Sequence, residues 1–365
     1  MDYTARLHSL QLTVDHLQFD TLLVTHPPNL RYLCGFTGSA GALLVSAGGS
    51  VFFTDGRYTQ QAHDEVRGAK IAIARKAPQT AAAEWLGRQR PGRRTKRSRS
   101  IGIEGEHLTV AAIRRLADLL PGHMRLREAP PLVEQARMVK EAEEIEAIRA
   151  AVTTGAGLFD RALEVMRPGI SEVEIAAEME YAARKAGAEG MSFETIIASG
   201  VRSALPHGRA SAAPIQPGGF VVCDFGVILH GYCSDRTRTV WIGPASAEAR
   251  RVYDAVLEAQ QAAIAAVRSG VKAGQVDRSA RKMLQKNGLA KYFTHSTGHG
   301  VGLEVHEAPR VAKGQQEVLR PGMVITIEPG VYLQGQWGVR IEDMVVVTEH
   351  GCEVLTPTQK EFIVI

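Results

Sequence analysis

No apolar run in the sequence approaches the ~20 residues that a membrane-spanning helix needs, so no such helix and no membrane partner are expected. The opening MDYTARLHSLQL has neither an apolar signal core nor a small-residue cleavage site, and no export leader is expected. Cysteine is scarce. Cys34, Cys223, Cys233 and Cys352 form no C-x-x-C pair and no dense framework, which excludes a disulfide scaffold and suits a reducing, cytoplasmic setting. Strong charge of one sign is also lacking, since the net charge is only +4. Most of that excess sits in Arg88, Arg90, Arg93, Arg94, Lys96, Arg97 and Arg99, around a Pro-Gly pair. No aromatic residues interleave to stack on bases, so the cluster reads as a solvated loop and no nucleic-acid partner is expected. There is no G-x-S-x-G elbow, and Gly298, Gly300 and Gly302 lack the order of a phosphate loop. Serine hydrolases and nucleotide binders are thereby set aside.

What is present is an ordinary globular mixture, 45% apolar and 22% charged, over 365 residues, enough for two cores. Thr21 to His26, Ala42 to Ala47 and Ser50 to Asp55 are β-rich runs broken by glycine and proline. Thr80 to Arg88 and Thr109 to Leu120 carry helical patterns. These segments predict an α/β domain over residues 1–130. The pattern stops around Glu128 to Pro131, and a long charged helix starts near Lys140, so residues 131–365 are expected to form a second domain.

That second part repeats itself. RPGISEVEIAAEMEYAARKAGA from Arg167 resembles RSGVKAGQVDRSARKMLQKNGLA from Arg268, each a turn and an amphipathic helix. PGGFVVCDFG from Pro217 likewise resembles PGMVITIEPG from Pro321, with a carboxylate seven positions after the proline in each. Two related α+β halves about a pseudo-twofold axis, with antiparallel strands, are expected.

Carboxylates recur at matching places in these halves. With a turn centred near Leu229 and His230, Asp224 and Asp235 are expected to face each other directly, their Cβ atoms ~5 Å apart. Glu328 and Glu342 are equidistant from Gly335. Like charges so paired call for cations between them. Strand interiors disfavour aspartate, and buried acid pairs without metal would have to share protons. His299, between glycines that let the backbone bend, completes an oxygen-rich set suited to two divalent ions, with Mn²⁺ first and Co²⁺ or Zn²⁺ as alternatives. Glu307 follows His306 as in a zinc-protease pair, but no second histidine comes four positions later. Alternation turns Cys223 away from the carboxylates, and core packing is expected for it and for Cys233.

At these residues the chain resembles the pita-bread metallopeptidases, in the Xaa-Pro aminopeptidase and prolidase branch. The matching stretches are PHG at His207, CDFG at Asp224, SDRTRTV at Asp235, HSTGHGVGLEVHEAP from His295, IEPG at Glu328 and VRIED at Glu342. NLRYLCGFTGSAG from Asn29 and FFTDGRYTQQA from Phe52 are similar to the creatinase/prolidase-type N-terminal domain. The resemblance implies Asp224, Asp235, His299, Glu328 and Glu342 as metal ligands, with His207, His295, His306 and Arg340 as further active-site residues. Glu328 would carry a proton to the leaving nitrogen, and His306 would stabilise the tetrahedral intermediate. His207 and His295 would line the substrate site, and Arg340 would orient a carboxylate. The expected reaction is hydrolysis of the Xaa-Pro bond at peptide N-termini by a homodimer. A prolidase restricted to Xaa-Pro dipeptides is the alternative, and a non-catalytic binding module on the same fold the remote one. Methionine aminopeptidases lack the N-terminal domain, and creatine-hydrolysing relatives lack the intact ligand set.

Overall fold

The computed structural model describes residues 1–89 and 99–365, so Arg90, Arg93, Arg94, Lys96 and Arg97 of the basic cluster lie outside the described residues. The chain divides into two units, Met1–Arg137 and Met138–Ile365.

In the first unit the β-rich runs form strands and the helical patterns form helices. The order is α1 (Tyr3–His16), β1 (Thr21–Val24), α2 (Pro27–Cys34), β2 (Ala42–Ser46), β3 (Gly49–Asp55), α3 (Thr59–Glu65), β4 (Lys70–Ala74), α4 (Pro78–Arg88), β5 (Arg99–Ile103), α5 (Val110–Leu119), β6 (Met124–Glu128) and α6 (Leu132–Arg137). Prolines open α2 and α4, where a missing N–H costs no hydrogen bond. The strands make one mixed sheet in the order β4-β3-β2-β1-β5-β6. Leu23, Leu44, Phe53 and Ile101 from the strands pack against Ala82, Ala83, Leu86 and Leu116 from α4 and α5.

The second unit opens with α7 (Ala142–Val165) and α8 (Glu172–Lys185), both held at their starts by capping boxes, Glu141 with Glu144 and Ser171 with Glu174. Short strands follow: β7 (Gly190–Met191), β8 (Ile196–Ser199), β9 (Gly219–Phe225), β10 (Val227–Leu229), β11 (Tyr232–Cys233) and β12 (Arg236–Ile242). Then the pattern recurs with α9 (Ala247–Ala266), α10 (Ala273–Lys286), β13 (Gly298–Gly300), β14 (Glu307–Val311), β15 (Val324–Ile327), β16 (Gly330–Leu333), β17 (Trp337–Arg340) and β18 (Asp343–Val347). β19 (Cys352–Val354) and β20 (Ile363–Val364) close the chain. The expected repeat is present in the topology. β8 pairs β9 and β9 pairs β12, just as β13 pairs β15 and β15 pairs β18, all antiparallel. The turns before β9 and β15 match as well, with φ of +87° at Gly218 and +84° at Gly322. This is the α+β pita-bread architecture. Val252, Tyr253, Val256, Val276, Ala280 and Leu284 of α9 and α10 pack on Phe220, Ile325 and Val345 of the sheets beneath.

One register expectation needs correction. The first hairpin turns at His230 and Gly231, whose φ angles of +50° and +75° fit a two-residue turn matched to the strand twist. That is one residue later than expected, so every pairing shifts by two. Asp224 lies opposite Thr237, not Asp235. Asp235 keeps the same face but becomes a diagonal neighbour, ~7–8 Å away rather than in direct opposition. The second hairpin is centred on Gly335 as expected, since Leu333 pairs Trp337, Gly330 pairs Arg340 and Ile327 pairs Asp343. Glu328 and Glu342 therefore occupy matching positions between those two ladders.

Candidate metal centre

Strand ends deliver the carboxylates. Asp224 stands at the end of β9, Asp235 just before β12, Glu328 just after β15 and Glu342 just before β18. His299 sits in the middle of β13. A Cβ at Gly298 would overlap the carbonyl of Thr326, and one at Gly300 the carbonyl of Ala308. Only bare backbone lets β13 come this close to its neighbours and aim His299 inward.

The side chains converge. One donor atom from each of Asp235, His299 and Glu342 falls within 4.8 Å of the others. His299 Nε2 is 3.4 Å from Glu328 Oε1 and 3.6 Å from Asp235 Oδ2. Its Nδ1 lies 3.0 Å from the Gly300 carbonyl, which can only accept, so Nδ1 carries the proton and Nε2 offers a lone pair to the carboxylates. Burial holds the His299 imidazole neutral, with its pKa down at about 4.

A second network holds this group in place. Arg340, 3% exposed, donates from Nη2 to Asp224 Oδ2 at 2.6 Å, from Nε to Thr237 Oγ1 at 3.0 Å and from Nη1 to Tyr332 Oη at 2.6 Å. The Thr237 hydroxyl in turn donates a hydrogen bond to Glu342 Oε2 at 2.8 Å. The Tyr332 hydroxyl, already accepting from Arg340, donates to His295 Nε2 at 2.8 Å, while His295 Nδ1 donates to the Ser296 carbonyl at 2.7 Å. Both ring nitrogens of His295 are thus engaged. Burial, then the Arg340 charge, depress its pKa to about 4.

The donor set fits divalent cations. Asp224 Oδ1 and Glu342 Oε1 are buried without a hydrogen-bond partner among the described residues. Burial pushes Asp235 well above the usual carboxylate range, and the nearby Asp224 and Glu328 charges push it further. Burial also raises Glu328 to about 7 against the pull of Arg340. Glu342 is raised by burial and then by the Asp235 and Glu328 charges. Orphaned lone pairs and carboxylates that resist ionisation mark a place built for positive charge.

All nine residues expected at the site line one cavity of about 700 Å³, together with Phe193, Ile196, Pro206, Arg209 and Arg310. His306 meets His299 edge to face, ring centres 4.4 Å apart. His207 lies on the loop after β8, and His295 just before β13. Glu307 also borders this space, yet its carboxylate forms a buried ion pair with Lys140 Nζ at 3.0 Å. Cys223 and Cys233 are buried, and burial drives both thiols to about 12, as core residues rather than nucleophiles. Tyr332 and Thr237 were not anticipated. The signal for Tyr332 was there: with the hairpin centred on Gly335, it is the diagonal neighbour of Arg340 on one face.

Residues 146–349 match metallopeptidase family M24, and residues 6–139 match the creatinase/prolidase N-terminal domain. The chain belongs to metallopeptidase family M24. Within this family the chain is 36% identical over 360 residues to a Xaa-Pro dipeptidase of Pyrococcus furiosus, covering 98% of this chain and 99% of that one. A Xaa-Pro dipeptidase structure from Bacillus anthracis shares 37% identity and superposes with a TM-score of 0.93 over 100% of both chains. The X-Pro aminopeptidase structure from Thermotoga maritima is 36% identical, with a TM-score of 0.87 over 97% of this chain and 100% of that one. The M24 match makes the chain a metal-dependent peptidase. Among the described residues, no helix is long and apolar enough to cross a membrane.

Proposed function

We propose that this M24 peptidase is a Xaa-Pro dipeptidase, with Asp224, Asp235, His299, Glu328 and Glu342 holding two divalent ions. Oxygen-rich donors with one imidazole support Mn²⁺ ahead of Co²⁺ or Zn²⁺. When bound, two such ions supply a nucleophilic water at neutral pH and polarise the scissile carbonyl. Glu328, whose affinity for a proton is already raised, carries a proton towards the leaving proline nitrogen. His306, beside His299, stabilises the tetrahedral intermediate. His295 acts through Tyr332 and Arg340 as a wall of the substrate site, because its ring nitrogens are engaged within the protein. His207 lines the same cavity from the loop after β8. Four free cysteines support a reducing, cytoplasmic setting, and the family resemblance supports a homodimer.

Arg310 carries the choice of dipeptides over longer peptides. It stands opposite His299 in the β13–β14 register, exposed, on the cavity wall. Arg209, the other guanidinium there, is taken by Glu194 at 2.9 Å, whereas Arg310 makes no ion pair among the described residues. A free guanidinium beside an acidic centre matches the terminal carboxylate of a bound Xaa-Pro dipeptide. The names of the Pyrococcus furiosus and Bacillus anthracis relatives favour the same reading. The Thermotoga maritima relative keeps an aminopeptidase as the second reading.

One experiment separates them. A charged hydrogen bond contributes ~1.5–3 kcal/mol, so Arg310→Met should raise KM for Xaa-Pro dipeptides roughly 10- to 100-fold. Turnover of the corresponding Xaa-Pro amides should barely change. Equal or faster cleavage of Xaa-Pro-Xaa tripeptides by the wild type, with no selective effect of Arg310→Met, would overturn the dipeptidase reading.

A further inference from the structure

We infer that Glu172 is a positioning residue, a carboxylate clasp that closes the loop carrying His207 and sets that wall of the peptide site. The inference rests on the reading of the cavity as the place where peptide binds.

Residues 200–210 leave the end of β8 and return beside the start of α8. Pro206, His207 and Arg209 of this loop line the cavity. The rim of the loop is open, with Val201 63% and Leu205 44% exposed, while Ser203 and Ala204 are buried, the Ser203 hydroxyl accepting from the Gly338 amide at 2.8 Å and the Ala204 carbonyl from Gln334 Nε2 at 3.2 Å. Its neck is different. Glu172, the first residue of α8, is fully buried and lies between the two strands of the neck. Its Oε1 accepts from the Ser199 amide at 2.7 Å and the Ser199 hydroxyl at 2.8 Å. Its Oε2 accepts from the Ser211 amide at 3.1 Å and the Ser211 hydroxyl at 2.7 Å. Arg202 completes the set, donating from Nε to Oε2 at 3.0 Å and from Nη2 to the Arg209 carbonyl at 2.6 Å. One carboxylate therefore joins both ends of the loop and, through Arg202, reaches the residue two places beyond His207.

The far side of the loop is tied to the metal centre. The Pro206 carbonyl accepts from Arg340 Nη1 at 3.0 Å, the same guanidinium that holds Asp224. His207 thus hangs on a loop held at its neck by Glu172, along its first turn by Gly338 and Gln334, and at its tip by Arg340. Without the neck, part of the cost of closing the loop would fall on substrate binding, and a wall ordered on binding weakens affinity. No metal contact depends on Glu172. Its loss should separate substrate kinetics from metal affinity.

Glu172→Gln keeps the shape but sets an amide NH₂ against one pair of donors. Amide hydrogen exchange in residues 199–211 should accelerate at least tenfold in the metal-free protein, with exchange in β9 and β12 unchanged. In the Mn²⁺-loaded enzyme, kcat/KM for a Xaa-Pro dipeptide should fall at least tenfold, while the Kd for Mn²⁺ by titration calorimetry stays within twofold. Ser211→Ala, which opens one arm only, should give an intermediate loss, about threefold, and decides the matter if Glu172→Gln does not fold. Unchanged exchange in the loop, unchanged kcat/KM, or a parallel loss of Mn²⁺ affinity overturns the assignment. If the wild type cleaves no Xaa-Pro substrate, the functional reading fails, and the exchange rates alone still decide whether the clasp holds the loop.

Discussion

Tyr332 is where a hydroxyl decides the state of an imidazole. It accepts from Arg340 and must therefore donate to His295 Nε2, which leaves the His295 proton on Nδ1. Tyr332→Phe removes that donor and strands a buried guanidinium proton, at about 1–3 kcal/mol. We expect kcat/KM to fall at least tenfold, with ¹⁵N spectra showing His295 Nε2 losing its hydrogen-bonded character. An unchanged His295 spectrum would refute the link. Asp235 poses the opposite case. Burial, then the Asp224 and Glu328 charges, make its ionised form unwelcome without metal. Asp235→Asn should abolish hydrolysis yet leave the metal-free protein as stable as the wild type or more so in thermal melts at pH 8. Turnover retained at full metal load would remove Asp235 from the ligand set. At this scale the side chains that meet in the cavity were legible because acids inside β-rich runs are conspicuous. Thr237 was not, because a threonine in a strand needs no special reason to be there, and Tyr332 shows itself only through the Gly335 register that sets it diagonal to Arg340.

At the scale of elements, the two hairpins show what turn chemistry can and cannot disclose. Gly335 revealed the second register because it is the one flexible residue midway between the carboxylates. In the first, His230 takes φ of +50°, uncommon for a residue with a side chain, so the turn falls at His230 and Gly231, one place later than a centre near Leu229 and His230. Parity survived that slip, and so the carboxylates still share a face. The close approach of β13 to its neighbours yields a sharper test. Gly298→Ala would drive a methyl into the Thr326 carbonyl and push His299 off its line. Overpacking of this kind destabilises by about 3 kcal/mol, or roughly 6–12 °C in melting temperature for a unit of this size. Calorimetry should show that drop together with weakened Mn²⁺ binding; normal binding would mean that β13 tolerates the added carbon.

Across the second unit, the buried carboxyls make stability respond to pH. Folding raises the Glu328 carboxyl from an ordinary 4.5 to about 7, with Asp235 and Glu342 raised in the same direction. At these carboxyls the folded, metal-free protein binds more protons than the unfolded chain, while His295 and His299, held at about 4, bind fewer below pH ~6.5 and oppose the trend there. Its stability from the carboxyls is complete below pH ~4.5 and is lost as pH rises through about 7. Melts of the metal-free protein should decline above pH ~6.5, where only the carboxyls still titrate, and Mn²⁺ should stabilise more at pH 8 than at pH 6.5 while releasing protons. A flat profile would mean that the carboxylates are not thrust together in the folded state.

The segment after β19 is knitted into the middle of this unit. Arg238 of β12 donates to the Thr358 and Gln359 carbonyls and to Asp343, Lys360 reaches Asp343 at 2.6 Å, and β20 lies along β12 in parallel. A ribosome making this chain must therefore release residues 358–364 before the strand next to Asp235 has a neighbour on that side. Until then the buried Arg238 lacks part of its shell of acceptors. Losing residues 358–364 would therefore take two carbonyl acceptors from a buried guanidinium and leave β12 without its parallel neighbour.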